Sequence, residues 1–135
     1  MKICFFVDSR MKPAKPSGKT GATPAPEDVR KAASDSLHAL MVIRAYRIRG
    51  HLIAELDPLG MMKRVPHPDL DPATYGFGPN DYDHPIFIDG LLGLEHATLR
   101  EILALLKRTY CGTFGVQFMH VSDPVEKYWL QDRIE

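Results

Sequence analysis

Net charge is the first thing this sequence lacks: seventeen Lys and Arg are balanced by seventeen Asp and Glu. A balanced chain exerts no long-range pull on nucleic acid or anionic membranes, so any basic patch must be local. Cysteine is scarce as well. Cys4 and Cys111 stand far apart, without the paired spacing of a zinc site or a disulfide framework, which suits a reducing cytoplasm. Long apolar runs are missing too. The five apolar residues Ile3 to Val7 fall short of the ~7–15 of a secretory leader, and nothing approaches the ~18 of a membrane span. The six histidines, at 38, 51, 67, 84, 96 and 120, offer neither H-x-x-x-H nor H-E-x-x-H. His67, His84 and His120 each read as a hydrogen-bonded structural residue rather than a metal ligand or general base. There is no G-x-S-x-G and no G-x-G-x-x-G.

Two fragments imitate motifs and fail on chemistry. Gly18-Lys19-Thr20 follows a strand-like start, but the first glycine of a phosphate loop would fall on Pro13, which has no N–H to offer a phosphate. Asp69, Asp71, Asp81 and Asp83 pair loosely like a calcium loop, yet its glycine and closing glutamate are absent and prolines intervene. Cys111 follows a helix at its negative end, where a thiolate is disfavoured, and reads as a packed small side chain.

What is present is a chain with 44% hydrophobic and 25% charged residues, enough for one globular domain. Residues 1–25 are rich in Lys, Pro, Ser, Gly and Thr from Asp8 onward and read as a disordered tail or linker. A long helix is expected over residues 27–56, opened by Pro26, Glu27 and Asp28 and ended by Asp57-Pro58. Its core stripe would be Leu37, Met41, Ala45, Ile48, Leu52 and Leu56. Gly50 interrupts it, which predicts either a bend or a close approach to the backbone.

Residues 57–97 hold six prolines and five glycines and predict an irregular arm with at most a short strand at Ile86 to Ile88. Unstructured loops beyond ~15 residues are uncommon inside compact domains, so the arm is expected to lie across a larger body. Thr98 and Glu101 form a capping box, opening a helix over 98–111 with Leu99, Ile102, Leu103, Leu106 and Tyr110 inward. Phe114 to Val121 predicts a strand or extended run. A third helix, 123–135, starts on Asp123-Pro124. It is still running at Glu135, which predicts continuation into a longer protein. The fold class is mainly α: a small helical domain with a long Pro/Gly-rich arm.

On a helix, Arg44, Arg47 and His51 share one face with Glu55, while Arg49 points elsewhere. Guanidinium forks suit carboxylates and phosphates. This face therefore marks a small-anion site, a contact with acidic groups of another segment, or simply a solvated face. The contact reading is kept, with the acidic groups expected outside this chain; mixed-charge helix faces are common. No aromatic platform for nucleic acid is interleaved with these charges. By residue chemistry alone the chain carries no catalytic, cofactor-binding or metal site.

The wording IRAYRIRGHLIAELDPLG, then LDPATYGF, then REILALLKRTYCGTFGVQFMHVSDPVEKYWLQDRIE resembles the amino-terminal region of the 2-oxoglutarate dehydrogenase E1 component, in a bacterial, alphaproteobacterial form. The resemblance runs from about Glu27 to Glu135. It implies an enzyme that uses thiamine diphosphate and Mg2+ to decarboxylate 2-oxoglutarate and pass the succinyl group to the lipoyl group of the E2 dihydrolipoyl succinyltransferase in the citric acid cycle. It also implies a cytoplasmic homodimer, with α/β cofactor-binding domains downstream of this region. The family's Gly-Asp-Gly and paired asparagines are absent here; Ile88-Asp89-Gly90 is the nearest text. No catalytic or cofactor residue is therefore carried over, and this chain alone is expected to be inactive. Residues 1–25 depart from the family's usual opening. The alternatives are a stand-alone helical interaction module and a small anion-binding regulatory protein centred on Arg44, Arg47 and His51.

Overall fold

The computed structural model describes residues 25–61, 63 and 65–135. Cys4, the phosphate-loop-like words and all but the last residue of the expected tail lie outside them. The first helix, α1, runs from Pro26 to Arg49, with Ala25 as a cap that supplies only its backbone: its carbonyl accepts from the N–H of Asp28 at 2.9 Å and of Val29 at 3.2 Å. A single tight 3₁₀ turn, Gly50–Ile53, follows, and Ala54 is already extended. The helical run thus ends before Leu56.

The core face of α1 differs from the expected stripe. Ala39, Val42, Ile43, Ala45 and Tyr46 are buried, whereas Leu37 is 61% and Met41 51% exposed, and Ile48, Leu52 and Leu56 are also exposed. Of the expected stripe only Ala45 faces inward. The reason is geometric: α1 carries two apolar faces about 100° apart, one residue's rotation. The face bearing Ala39 and Ala45 lets neighbouring backbone approach more closely than the one bearing Leu and Met. Periodicity reports an apolar face; it does not choose between two.

Gly50 settles its own question in favour of close approach. Its φ is −55°, ordinary for any residue, but a Cβ there would stand 2.6 Å from the Cβ of Tyr110. The end of α1 crosses the end of the second helix at this point with backbone on one side only.

The arm is more ordered than its composition suggests. Pro68–Leu70 and Pro72–Tyr75 form two 3₁₀ turns, each with proline at its first position. Each is capped by the residue before: His67 Nδ1 accepts from the Asp69 N–H at 3.2 Å and Asp71 from the Ala73 N–H at 3.0 Å. The strand β1, Pro85–Phe87, pairs antiparallel with β2, His96–Thr98, in the register Ile86 opposite Ala97, and both of these residues are buried. Positive φ at Asp89, Gly90, Leu92 and Gly93 turns the chain between them. Leu70, Phe77, Ile86, Ile88 and Ala97 join the same core as α1. The arm therefore folds back on this chain's own helices, with its short range of conformations pre-set by proline and local caps.

The second helix, α2 (Leu99–Tyr110), has the predicted capping box and buries Leu99, Ile102, Leu103, Leu106 and Tyr110. It closes on Cys111 without a left-handed glycine; the Gly112 carbonyl instead accepts from the Glu55 N–H at 2.7 Å. Residues 115–118 are irregular rather than a strand. Within them Phe118 is buried and stacks on Tyr110, with ring centroids 6.5 Å apart. The third helix, α3 (Pro124–Ile134), starts on Asp123, whose carboxylate accepts from Val125 N–H at 2.7 Å and Glu126 N–H at 3.3 Å. It buries no residue completely. Among the described residues three α-helices and one two-stranded sheet make a mainly α fold. Among the described residues no helix is long and apolar enough to cross a membrane.

Candidate functional site

The basic face of α1 is dispersed by the fold. Arg44 is exposed. Arg47 turns inward, where its Nε donates to Glu135 Oε1 at 2.6 Å and its Nη2 to Oε2 at 2.7 Å. Tyr110 donates its hydroxyl to the same Oε1 at 2.6 Å. The two charged side chains are 12% and 6% exposed. Three helices meet at this carboxylate: α1 sends Arg47, α2 sends Tyr110, and Glu135 caps α3. The acidic partner of Arg47 is thus in this chain, 88 residues along.

Protonation in this cluster follows from its surroundings. Burial alone would lower the Arg47 pKa, but the hydrogen bonds and charge of Glu135 more than reverse it, so the guanidinium stays charged. Burial, then the Glu135 carboxylate, push the Tyr110 hydroxyl well above the ordinary tyrosine range, so it acts as a donor only. Three of the hydrogen-bonding directions of Glu135 are taken by Arg47 and Tyr110 and serve positioning. The cluster fixes geometry; it offers no free base, acid or nucleophile.

His51 faces a groove of about 530 Å³ with Leu52, Leu56, Lys63, Val65 and His67. Its Nδ1 is buried and meets no hydrogen-bond partner among the described residues. Arg49, the arginine that the sequence set apart, forms an ion pair with Asp69. A second groove, about 400 Å³, runs between α1 and β1 past Asp28, Lys31, Asp35, His84 and His96. The aspartates of the arm are dispersed as well. Asp71 caps a turn, Asp81 accepts from the Gly78 N–H at 2.9 Å and meets Lys31 at 3.4 Å, and Asp83 meets Arg100 at 2.9 Å.

Other reactive groups are similarly committed. The Cys111 thiol points at the Gly50 carbonyl, 3.5 Å away, and burial raises its pKa, which suppresses the thiolate. Burial pushes Tyr46 up to about 12, with Cys111 and Asp71 adding to it, and its hydroxyl donates to the Leu70 carbonyl at 3.3 Å. Among the described residues no group of three or more His, Cys, Asp and Glu is arranged to hold a metal ion. Asp89, in the text nearest to Gly-Asp-Gly, sits exposed on the turn after β1 with φ 52°. Among the described residues the donor set therefore does not fit a Mg2+-diphosphate site, and no chemical step is routed through one.

Sequence reasoning missed Glu135 and Tyr110 as partners of Arg47. No local spacing signals a contact that only the meeting of three helices creates.

No family model matches the chain. Among curated proteins it is similar to the 2-oxoglutarate dehydrogenase E1 component of Brucella anthropi, 58% identical over 119 residues, which is 87% of this chain and 12% of the relative. The proteins of the same name from Brucella ovis and Brucella canis are 56% identical over the same coverage. The chain thus spans about an eighth of the length of the relatives it matches, 12%. At this identity over 87% of its length, the chain is similar to an amino-terminal fragment of alphaproteobacterial proteins named 2-oxoglutarate dehydrogenase E1 component.

Proposed function

We propose that this chain is the amino-terminal scaffolding segment of a 2-oxoglutarate dehydrogenase E1, contributing packing and position rather than chemistry. The observation that carries the reading is the 58% identity across 87% of the chain to a protein of that name. The commitment of Arg47, Arg49, Asp81, Asp83 and Cys111 to contacts within the described residues supports the scaffolding role. The whole enzyme would decarboxylate 2-oxoglutarate and succinylate the lipoyl group of the E2 component, within the citric acid cycle and in the cytoplasm. Thiamine diphosphate with Mg2+, held by parts of the enzyme beyond this segment, would supply the electron sink for decarboxylation. The partners of the segment are then the remainder of the E1 subunit, its homodimer mate and, through them, E2.

Two measurements test this. The purified chain, given 2-oxoglutarate labelled at its carboxylate, thiamine diphosphate and Mg2+, is expected to release no labelled CO2; release above the blank would overturn the account. A chimera in which residues 27–135 replace the matching stretch of the Brucella anthropi enzyme is expected to fold, dimerise and turn over. A folded but inactive chimera would remove the scaffolding role.

The exposure of Val125, Tyr128 and Trp129 on α3 favours a second reading, a helical interaction module outside any E1. A chain that remains monomeric, and that does not restore an E1 lacking this stretch when added in trans, would leave that second reading as the better one. An anion-binding regulator is disfavoured because Arg47 is already occupied by Glu135. Heat on titrating nucleotides or 2-oxoglutarate into the chain would revive it.

A further inference from the structure

The third helix is attached in an unusual way. It buries no residue completely; Leu130 and Ile134 lie against the core only in part, and Val125, Tyr128 and Trp129 face solvent. Its amino end is set by Asp123, a local cap that fixes where the helix starts but ties it to nothing else. Its other end is different. There Glu135 is 6% exposed, held by both nitrogens of Arg47 on α1 and by the hydroxyl of Tyr110 on α2.

We infer that Arg47, Tyr110 and Glu135 form a latch that fixes the pose of α3, and that α3 is an arm which can be released while the core of α1, α2 and the β1–β2 pair stays folded. The physical argument has two parts. A buried ion pair is a poor source of net stability, since desolvation offsets much of the attraction, but a good source of unique geometry when its hydrogen bonds are bidentate. Leu130 and Ile134, packed against the core but not fully buried, supply attraction without direction. The orientation of α3 must then come from the three-way contact at Glu135. The buried core, in contrast, takes none of its residues from α3: Ile43 and Tyr46 of α1 and Ile102 and Leu106 of α2 belong to it together with residues of the arm. This inference concerns the chain's own mechanics and stands whether or not the E1 reading does.

The test uses the full chain and the fact that its one tryptophan, Trp129, lies on α3. Glu135→Gln keeps the shape and removes the charge. It is expected to lower the fluorescence anisotropy of Trp129 and to speed amide exchange across residues 126–134 by about tenfold or more, while amides of α2 and residues 39–46 stay within about twofold of the parent. Tyr110→Phe should move both readouts in the same direction by less. The paired substitution Arg47→Met with Glu135→Met leaves no lone buried charge and separates loss of the latch from the penalty of an orphaned guanidinium. It should also free Trp129. Two results would overturn the inference. One is unchanged Trp129 anisotropy and α3 exchange in Glu135→Gln and in the paired variant; the other is release of α3 only together with loss of protection in α2, which would make α3 part of the core.

Discussion

The second and third helices are close to the same length, 12 and 11 residues, and both begin on a side chain that caps them well. They differ in what they bury. In α2 five residues are buried, three of them with no exposure at all besides Tyr110, and in α3 none is. A cap, then, decides where a helix begins; an apolar face with something opposite it decides whether the helix is part of the core. Leu99, Ile102, Leu103, Leu106 and Tyr110 lie within one sector of α2, so one surface covers all of them. On α3 the apolar residues spread round the helix, and only Leu130 and Ile134 find partial cover.

The sharpest way to break this comparison is to truncate a leucine in each helix. Leu106→Ala removes a side chain with 0% exposure and is expected to cost about 2–5 kcal/mol in urea unfolding. Leu130→Ala, only partly covered, should cost less than about 1.5 kcal/mol on the area removed from water. Equal costs would put α3 in the core. Next in size is Gly50→Ala, which places a carbon 2.6 Å from the Tyr110 Cβ. It is expected to lose about 1–3 kcal/mol, although alanine is the better helix former; a gain in stability would show that the crossing gives way easily.

Removing the caps should separate the helices in another manner. Thr98→Ala is expected to lower global stability by about 0.5–2 kcal/mol, because α2 cannot fray without opening the core. Asp123→Ala should instead speed amide exchange in the first turn of α3 with little change in the unfolding midpoint. A matching drop in both midpoints would contradict this.

The smallest effect is electrostatic. The Gly78 N–H, then Lys31, hold Asp81 below its ordinary pKa; Arg100 does so for Asp83 and the Thr98 N–H and hydroxyl for Glu101. With depressed pKa values the folded chain binds fewer protons than the unfolded one in the acid range. Their stabilisation is therefore present above the unfolded carboxylate values, about 4, and is lost as pH falls through the folded ones. All three are surface groups, so the effect should be small and reduced by salt. The triple variant Asp81→Asn, Asp83→Asn, Glu101→Gln should unfold with a shallower dependence on pH below about 5. An unaltered dependence would mean that these contacts do not survive in solution.

The buried face of α2 was legible because one capping box and one apolar sector agree with each other. The core face of α1 was not, because Leu37, Met41 and Leu52 form a second sector as regular as the one that Val42, Ile43 and Tyr46 occupy. Its choice depends on which face the arm and α2 can approach. The strand β2 escaped notice because His96–Thr98 is extended only by pairing with Pro85–Phe87. The arginine face was visible as a face, yet its geometry was not: Arg47 and Glu135 are 88 residues apart, and no spacing rule reaches that far. The specific words around those residues carried the relationship to the E1 component where the chemistry could not.

Tyr110 holds two obligations at opposite ends of one side chain. Its Cβ leaves room for nothing larger than the hydrogen of Gly50, and its hydroxyl reaches Glu135 at 2.6 Å. In the language of mutational paths, positions 50, 110 and 135 are coupled. A larger residue 50 would press on the Cβ that every residue but glycine carries at position 110, so the crossing of α1 and α2 would have to shift, and with it the hydroxyl that reaches residue 135. Single steps away from this arrangement are each uphill, and sequence drift in the domain is expected to go round these three sites.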